Sequence, residues 1–518
     1  MAPIDTIVQL LQLSASALIP GSESESAAVF SASKNDACTK LSMRDLTIAV
    51  LASMTAIVSG CISVPREPAR TPLLEAGSLG LSQASEAPAD PAWWVAYDDP
   101  QLDDLMRHAL ADNPTLAEAL ARVRQAQAVA DVAWAGLAPS ISYDAADARQ
   151  RFSGHDVIPP PFAGGVYWEG RQGANLSWEL DFWGRQAALL RQARSATIAG
   201  KLDVVSARLA LEGAVAQGYA DLDRDFALAE IAESSIAQRT QILDITRQRV
   251  RAGLDTNVEL REAEGAVPRA RVELRQAQSD REGAIHLLAE LAGKGAVEYG
   301  RIERPRWRME AVVQLPKSLP ANLLGRRPDI LAARSRVEAA AAGQAAAKAA
   351  FYPDVNLAAF AGTTAVGFEY LFHGNSGVYG VGPAIHLPVF DAGRLKAEYR
   401  GAEAEIDAAV ALYDKTVLQA VREVSDQLTR IDALADQLDQ QRMSLASAEA
   451  AYRLAIERYQ AGLSTYLTVL NAETEVLSAR RQRVELIWAQ VIARVSLLLA
   501  VGGSFDPDAP LPATVARN

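Results

Sequence analysis

Cysteine and histidine supply many of the nucleophiles, metal ligands and acid–base groups that chemistry needs. This chain holds two cysteines and five histidines. His108, His155, His286, His373 and His386 are scattered, with no His-x-x-x-His pair, Gly-x-Ser-x-Gly turn or phosphate-binding glycine loop nearby. An enzyme therefore finds no support. Cys38 and Cys61 lie near the N-terminus, far from any histidine cluster, so neither a zinc site nor a disulfide framework is supported. Cys61 has a distinctive setting all the same. It closes an apolar segment that begins at Leu46, is too short to span a bilayer, and ends in Ser59 and Gly60. That is the pattern of a signal-peptide core and its cleavage site.

Val58-Ser59-Gly60-Cys61 resembles the bacterial lipobox, whose cysteine becomes the acylated first residue of the mature chain. The expected modification is a covalent lipid at Cys61, and no other cofactor is expected. Two or three acyl chains on one residue suffice for stable anchoring. Ile62 follows, and the absence of Asp there points to the outer rather than the inner membrane. Met43-Arg44 stands directly before the apolar run, as the charged start of a signal peptide should. Met43 is thus the expected start, and residues 1–60 are read as an upstream extension plus a lipoprotein signal peptide.

A net charge of −12 leaves no basic face for nucleic acid. A chain of 518 residues would ordinarily form two or more domains, yet no long Pro/Gly/Ser linker divides this one. Its middle is rich in Ala, Leu, Gln, Arg and Glu, the composition of long helices and coiled coil.

The elements come from an internal repeat. The segment from Arg249 to Thr256, with Gly253 and Leu254, matches Arg458 to Thr465, with Gly462 and Leu463, at an offset of 209. The same offset carries Ala263-Glu264 onto Ala472-Glu473, Arg271 onto Arg480 and Gly293 onto Gly502. Further upstream Asn113-Pro114 matches Arg327-Pro328, and Pro139 matches Pro353, at an offset of 214. The expected organisation is an N-terminal segment over 61–100, a first repeat over 101–310, a second over 311–505 and a tail over 506–518. Each repeat reads helix, strand, strand, long helix, helix.

Alternation of apolar and polar residues predicts strands over about 139–153, 166–183, 353–366 and 376–391. From Trp168 to Phe182 the even positions are mostly apolar and the odd ones mostly polar. Such strands suit a membrane barrel or a soluble sandwich. Four strands cannot close a barrel, since natural membrane barrels begin at about eight, so in a membrane several chains must share one. Long helices are predicted over 185–252 and 394–461, each about 100 Å long at 1.5 Å per residue. Shorter ones follow over 256–292 and 465–501, and helix 328–351 opens the second repeat. Gly253 and Gly462 are the expected left-handed residues that close each helix pair into a tight antiparallel hairpin.

With these parts in order, the chain resembles the outer membrane factor family of TolC-like and OprM-like channels, especially its lipoprotein (NodT-like) branch. The resemblance runs from about Trp93 to Phe505 and rests on Leu323-Leu-Gly-Arg-Arg-Pro-Asp-Ile330, Ala349-Ala-Phe-Tyr-Pro353, Leu387-Pro-Val-Phe-Asp-Ala-Gly-Arg394 and the two Ala-Gly-Leu tips. It implies a mainly α fold with a transmembrane β-barrel: a homotrimer sharing a twelve-stranded barrel in the outer membrane, above a coiled-coil α-barrel that crosses the periplasm. It implies a passive exit duct for small molecules such as drugs, serving an inner-membrane pump of the resistance-nodulation-division (RND) type through a periplasmic membrane fusion (adaptor) protein.

The resemblance also implies roles for residues. Adaptor docking would fall on Ala252, Gly253, Leu254 and Thr256 and on Ala461, Gly462, Leu463 and Thr465. A periplasmic gate would place its apolar constriction at Leu467 and its acidic ring at Thr468 and Asn471. Neither of those two is acidic here, a departure that leaves Glu259 as the acidic residue near the constriction, with Tyr459 as a gate hydrogen-bonding group. Arg247, Arg249, Arg251 and Glu259 otherwise read as a solvated coiled-coil face. Alternatives are a duct for metal efflux or type I protein secretion, or a periplasmic coiled-coil adaptor lipoprotein. Adaptors carry a single hairpin, whereas two hairpins alternate with strand pairs here.

Overall fold

The structure is a computed structural model that describes residues 72–75, 79, 90–155, 159–307, 323–507 and 509. The signal peptide, Met43 and Cys61 lie outside the described residues. A 3₁₀ turn over Trp93–Tyr97 leads into α1 (Pro100–Asp112) and α2 (Pro114–Ala135). Then come β1 (Ser140–Arg151), β2 (Val166–Glu179), α3 (Arg185–Arg251) and α4 (Asn257–Leu291). The second repeat runs α5 (Leu323–Arg326), α6 (Pro328–Ala349), β3 (Asp354–Val366), β4 (Gly377–His386), α7 (Arg394–Gln460) and α8 (Tyr466–Ala500). The two long helices are each 67 residues, about 100 Å.

The second strand of each repeat stops short of the sequence expectation, at Glu179 and His386 rather than near 183 and 391. An aspartate explains each early end. The Asp181 carboxylate accepts N–H bonds from Gln186 and Ala187, and Asp391 accepts them from Gly393 and Leu395. These bonds satisfy helix N-terminal donors that would otherwise be orphaned, so the chain turns into α3 and α7 at that point. Gly184 and Gly393, at φ of 72° and 88°, make the turn without steric cost.

The four strands form one antiparallel sheet in the order β1-β2-β3-β4. Its register sorts the residues by face. One row across the sheet is Ile141, Leu176, Ala359, Val381, and the next on that face is Tyr143, Ala174, Ala361, Tyr379. Rows on the opposite face read Ser142, Asn175, Phe360, Gly380 and Asp144, Gly173, Gly362, Val378. Asn175 donates to Asp144 at 2.8 Å and Asn356 to Ser177 at 2.7 Å, so polar groups on this second face pair among themselves. Ile141, Tyr143, Tyr379 and Val381 are all exposed on the first face. Among the described residues, nothing in the protomer buries these four side chains.

The repeat is closed twice by one device. Asn113, before Pro114, donates its side-chain amide to the carbonyl of Leu291 at 2.9 Å; Arg327, before Pro328, donates to that of Ala500 at 3.0 Å. Leu291 and Ala500 are themselves repeat mates, since 291 plus 209 is 500. Two residues on, Gly293 and Gly502 lie so close to the carbonyls of Asp112 and Arg326 that a β-carbon would collide with them. The apolar core is distributed along the helices. Its largest cluster joins Trp93, Trp94 and Tyr97 to Leu102, Met106, Tyr219, Leu288, Trp307 and Val495. Inside it Asp99 accepts from the Tyr219 hydroxyl at 2.6 Å and the Arg306 N–H at 2.7 Å, which satisfies a buried carboxylate.

Candidate functional site at the hairpin tips

Both helix hairpins turn by the same backbone motif. After α3, Gly253 at φ 73° donates to the Val250 carbonyl and Leu254 donates to that of Arg249 at 2.9 Å. After α7, Gly462 at φ 78° donates to Tyr459 and Leu463 to Arg458 at 2.8 Å. These are Schellman closures, which require the left-handed residue that glycine supplies. Ala252 and Ala461 are the helix caps before them. The turns leave Leu254 and Leu463 as exposed apolar side chains, 64% and 70% accessible. The apex of each hairpin thus presents an exposed leucine on a closed turn.

The two turns differ in how the next helix begins. Thr256 caps α4 by accepting from Val258, while Glu259 accepts from the Thr256 N–H at 3.0 Å, a complete capping box. Hydrogen bonds from Thr256 and from its own backbone hold the Glu259 carboxyl below the usual carboxylate range. Glu259 is thus engaged in starting its own helix. Thr465 caps α8 without a side-chain cap bond, and its hydroxyl lies 3.3 Å from that of Thr468. Leu467, Thr468 and Asn471 lie together on one exposed flank of α8, with Leu467 59% accessible.

A buried polar latch joins the two hairpins. Arg249 holds the Asp255 carboxylate with two nitrogens, at 2.8 and 3.1 Å, and gives its remaining one to the Tyr459 carbonyl at 2.6 Å. Its guanidinium lies 4.5 Å from the centre of the Tyr459 ring. The Tyr459 hydroxyl donates to Asp255 at 2.6 Å and sits 3.0 Å from the Thr246 hydroxyl. Arg249 and Asp255 are 10% and 9% exposed, and Tyr459 only 1%. The expectation of a solvated face therefore fails at Arg249: the arginine is turned inward because a carboxylate, a carbonyl and an aromatic face all await it there.

Burial alone would raise the Asp255 carboxyl, but hydrogen bonds from Arg249 and Tyr459 outweigh it and hold the group below its ordinary value. Burial, then the bond to Asp255, pushes the Tyr459 hydroxyl up to about 12. The latch is thus an ionised carboxylate between an arginine and a neutral tyrosine at neutral pH. Neither Asp255 nor Thr246 stands out in the sequence, and nothing there turns Arg249 inward. One signal is present: Arg249 and Asp255 flank the first tip, while the repeat mate of Asp255 is Ser464, so only one hairpin carries the acid.

Among the described residues no group of His, Cys, Asp and Glu is placed to hold a metal ion, and no helix is long and apolar enough to cross a membrane.

A family model described as outer membrane efflux protein matches residues 105–294 and 319–503, one block in each repeat. The fusaric acid resistance protein FusA of Burkholderia cepacia is 32% identical over 488 residues, 91% of each chain. The pyoverdine export outer membrane protein OpmQ of Pseudomonas aeruginosa is 31% identical over 488 residues, 90% of this chain and 98% of the relative. Among solved structures, the outer membrane protein VceC of Vibrio cholerae superposes with a TM-score of 0.76 at 34% identity, covering 81% of this chain and all of that one.

Proposed function

Because the chain belongs to the outer membrane efflux protein family, it is an outer-membrane efflux channel, and we propose that it forms the passive exit duct of a tripartite pump for small organic molecules. The observation that carries the reading is the four-stranded sheet, with one exposed apolar face and one polar face, joined directly to 67-residue helices. Four strands cannot close a pore, and an apolar face needs lipid against it. Three copies would supply twelve strands, with Ile141, Tyr143, Tyr379 and Val381 toward lipid and Ser142, Asp144 and Asn175 toward a water-filled lumen. The exposed leucines at the apices suit docking to a periplasmic adaptor, and an RND-type pump in the inner membrane would provide the energy. The chain itself performs no covalent chemistry in this reading.

The latch belongs to a periplasmic gate. With Arg249, Asp255, Thr246 and Tyr459 engaged, the second hairpin is held against the first, and Leu467, Thr468 and Asn471 present an uncharged constriction. A lipid at Cys61 would fasten the chain to the outer membrane. The relatives' names favour export of toxic or secreted small molecules, a fusaric acid resistance protein and a pyoverdine exporter among them. The test is a deletion strain challenged with dyes, antibiotics, detergents and metal ions, with and without the gene restored. Hypersensitivity to several unrelated organic compounds is expected. Sensitivity to metals alone would replace the reading by metal efflux, and no change at all would remove it.

A further inference from the structure

Two ion pairs of the described residues have both members less than 15% exposed. One is the tip latch; the other joins Arg239 of α3 to Glu473 of α8 at 3.0 Å, with exposures of 12% and 3%. Arg239 also donates to the carbonyl of Ala266 on α4 at 3.1 Å, so one side chain ties three helices. Counting from the turns, Arg239 lies 14 residues before Gly253 and Glu473 lies 11 after Gly462, roughly 15–20 Å along each helix. Between the two ion pairs lies an apolar cluster that includes Ile242, Leu243, Val267, Tyr452, Tyr466 and Val469.

The same level carries a helix defect. Pro268 lies inside α4, two residues past the carbonyl that Arg239 binds. It has no N–H to give the Glu264 carbonyl, so α4 lacks one rung there and bends most easily at that point. The repeat mate of Pro268 is Leu477, inside an uninterrupted α8, and the mate of Glu473, Glu264, pairs with Arg261 on its own helix, where the arginine is exposed. The clamp and the break thus occur once per chain, together, between the two repeats.

We propose that Arg239, Glu473 and Pro268 are positioning residues that form a pivot layer: the hairpin ends swing about it when the tip latch opens, while the helices beyond it stay fixed. Its consequence for transport rests on the gate reading above. A buried pair resists separation because parting it strands both charges, whereas the apolar contacts between pair and tip can slide. α4, already short of a hydrogen bond, takes up the bend.

The experiment is hydrogen exchange on the full-length channel in lipid nanodiscs. Asp255→Asn should raise exchange about tenfold in residues 240–267 and 446–472, with a sharp boundary at the clamp. Adding Glu473→Gln should carry the faster exchange past that boundary toward the sheet. Pro268→Ala, which restores the missing rung, should slow exchange around residues 264–272 in the Asp255→Asn background. A boundary elsewhere, or one unmoved by Glu473→Gln and Pro268→Ala alike, would overturn the pivot. Conductance of the same Asp255→Asn protein separates the two ideas. An unchanged conductance with the boundary in place would sink the gate reading and leave the pivot standing.

Discussion

At the residue scale, a handful of side chains decide whether the tips stay together. Asp255 accepts from Arg249 twice and from Tyr459 once. Replacing it by Asn removes the charge that makes these bonds strong, a loss of about 2 kcal/mol from the latch. We expect Asp255→Asn to raise resting conductance in planar bilayers, and unchanged conductance would show that the latch does not gate. The pH dependence has a definite sign. A carboxyl held below its ordinary value stabilises the latch fully above the ordinary carboxylate range and loses that contribution only as pH falls through the depressed value. Conductance should therefore be flat from about pH 8 to pH 5 and rise only in stronger acid, below the ordinary aspartate value of about 3.9. A rise near about pH 6.5, the ordinary histidine value, would assign the control to another group. Cys61 lies outside the described residues; Cys61→Ser should abolish palmitate labelling, and persistent label would remove the lipobox assignment.

At the element scale, the tips and the repeat closures separate docking from folding. Gly253 and Gly462 close the turns at positive φ, so a bulky residue there would strain the backbone as well as alter the surface. Leu254 and Leu463 are the cleaner test. Their side chains are exposed, and Leu254→Asp with Leu463→Asp should leave the folded channel intact while reducing transport at least about tenfold. Full transport in that double variant would show that the adaptor seats elsewhere. Gly293 and Gly502 act inside the fold. A side chain at Gly502 would meet the Arg326 carbonyl at a φ of 104°, so Gly502→Ala should cost about 1–3 kcal/mol and lower the thermal midpoint.

At the scale of the whole molecule, the protomer holds a surface that it cannot cover. The row Ile141, Leu176, Ala359, Val381 belongs to a sheet that ends in β1 on one edge and β4 on the other, with unpaired strand edges on both. Pairing β1 of one chain with β4 of the next would close these edges three times over. The native mass of the detergent-solubilised protein should accordingly be three chains plus bound detergent, and a stable monomer would overturn the shared barrel.

How much of this is legible in the chain depends on the range over which the signal acts. Helices, strands and turns follow from local spacing: Gly253 and Gly462 stop helices because of backbone sterics, and Tyr143 and Trp178 alternate with polar neighbours because successive side chains in a strand point to opposite faces. The repeat declares that whatever one half builds, the other builds again. Local spacing also places Tyr459 and Glu259 at the tips, but it misjudges Arg249 as a solvated residue. The strand ends extend too far in that reading because the apolar alternation runs on through Leu180 and Phe182, while the Asp181 hydrogen bonds that end the strand are side-chain contacts. Only the tertiary structure brings Arg249 onto Tyr459, 210 residues away, and Arg239 onto Glu473, 234 away. No periodicity encodes such pairs. They exist because two hairpins, each readable on its own, pack side by side and bury a charge that must then find its partner on the other.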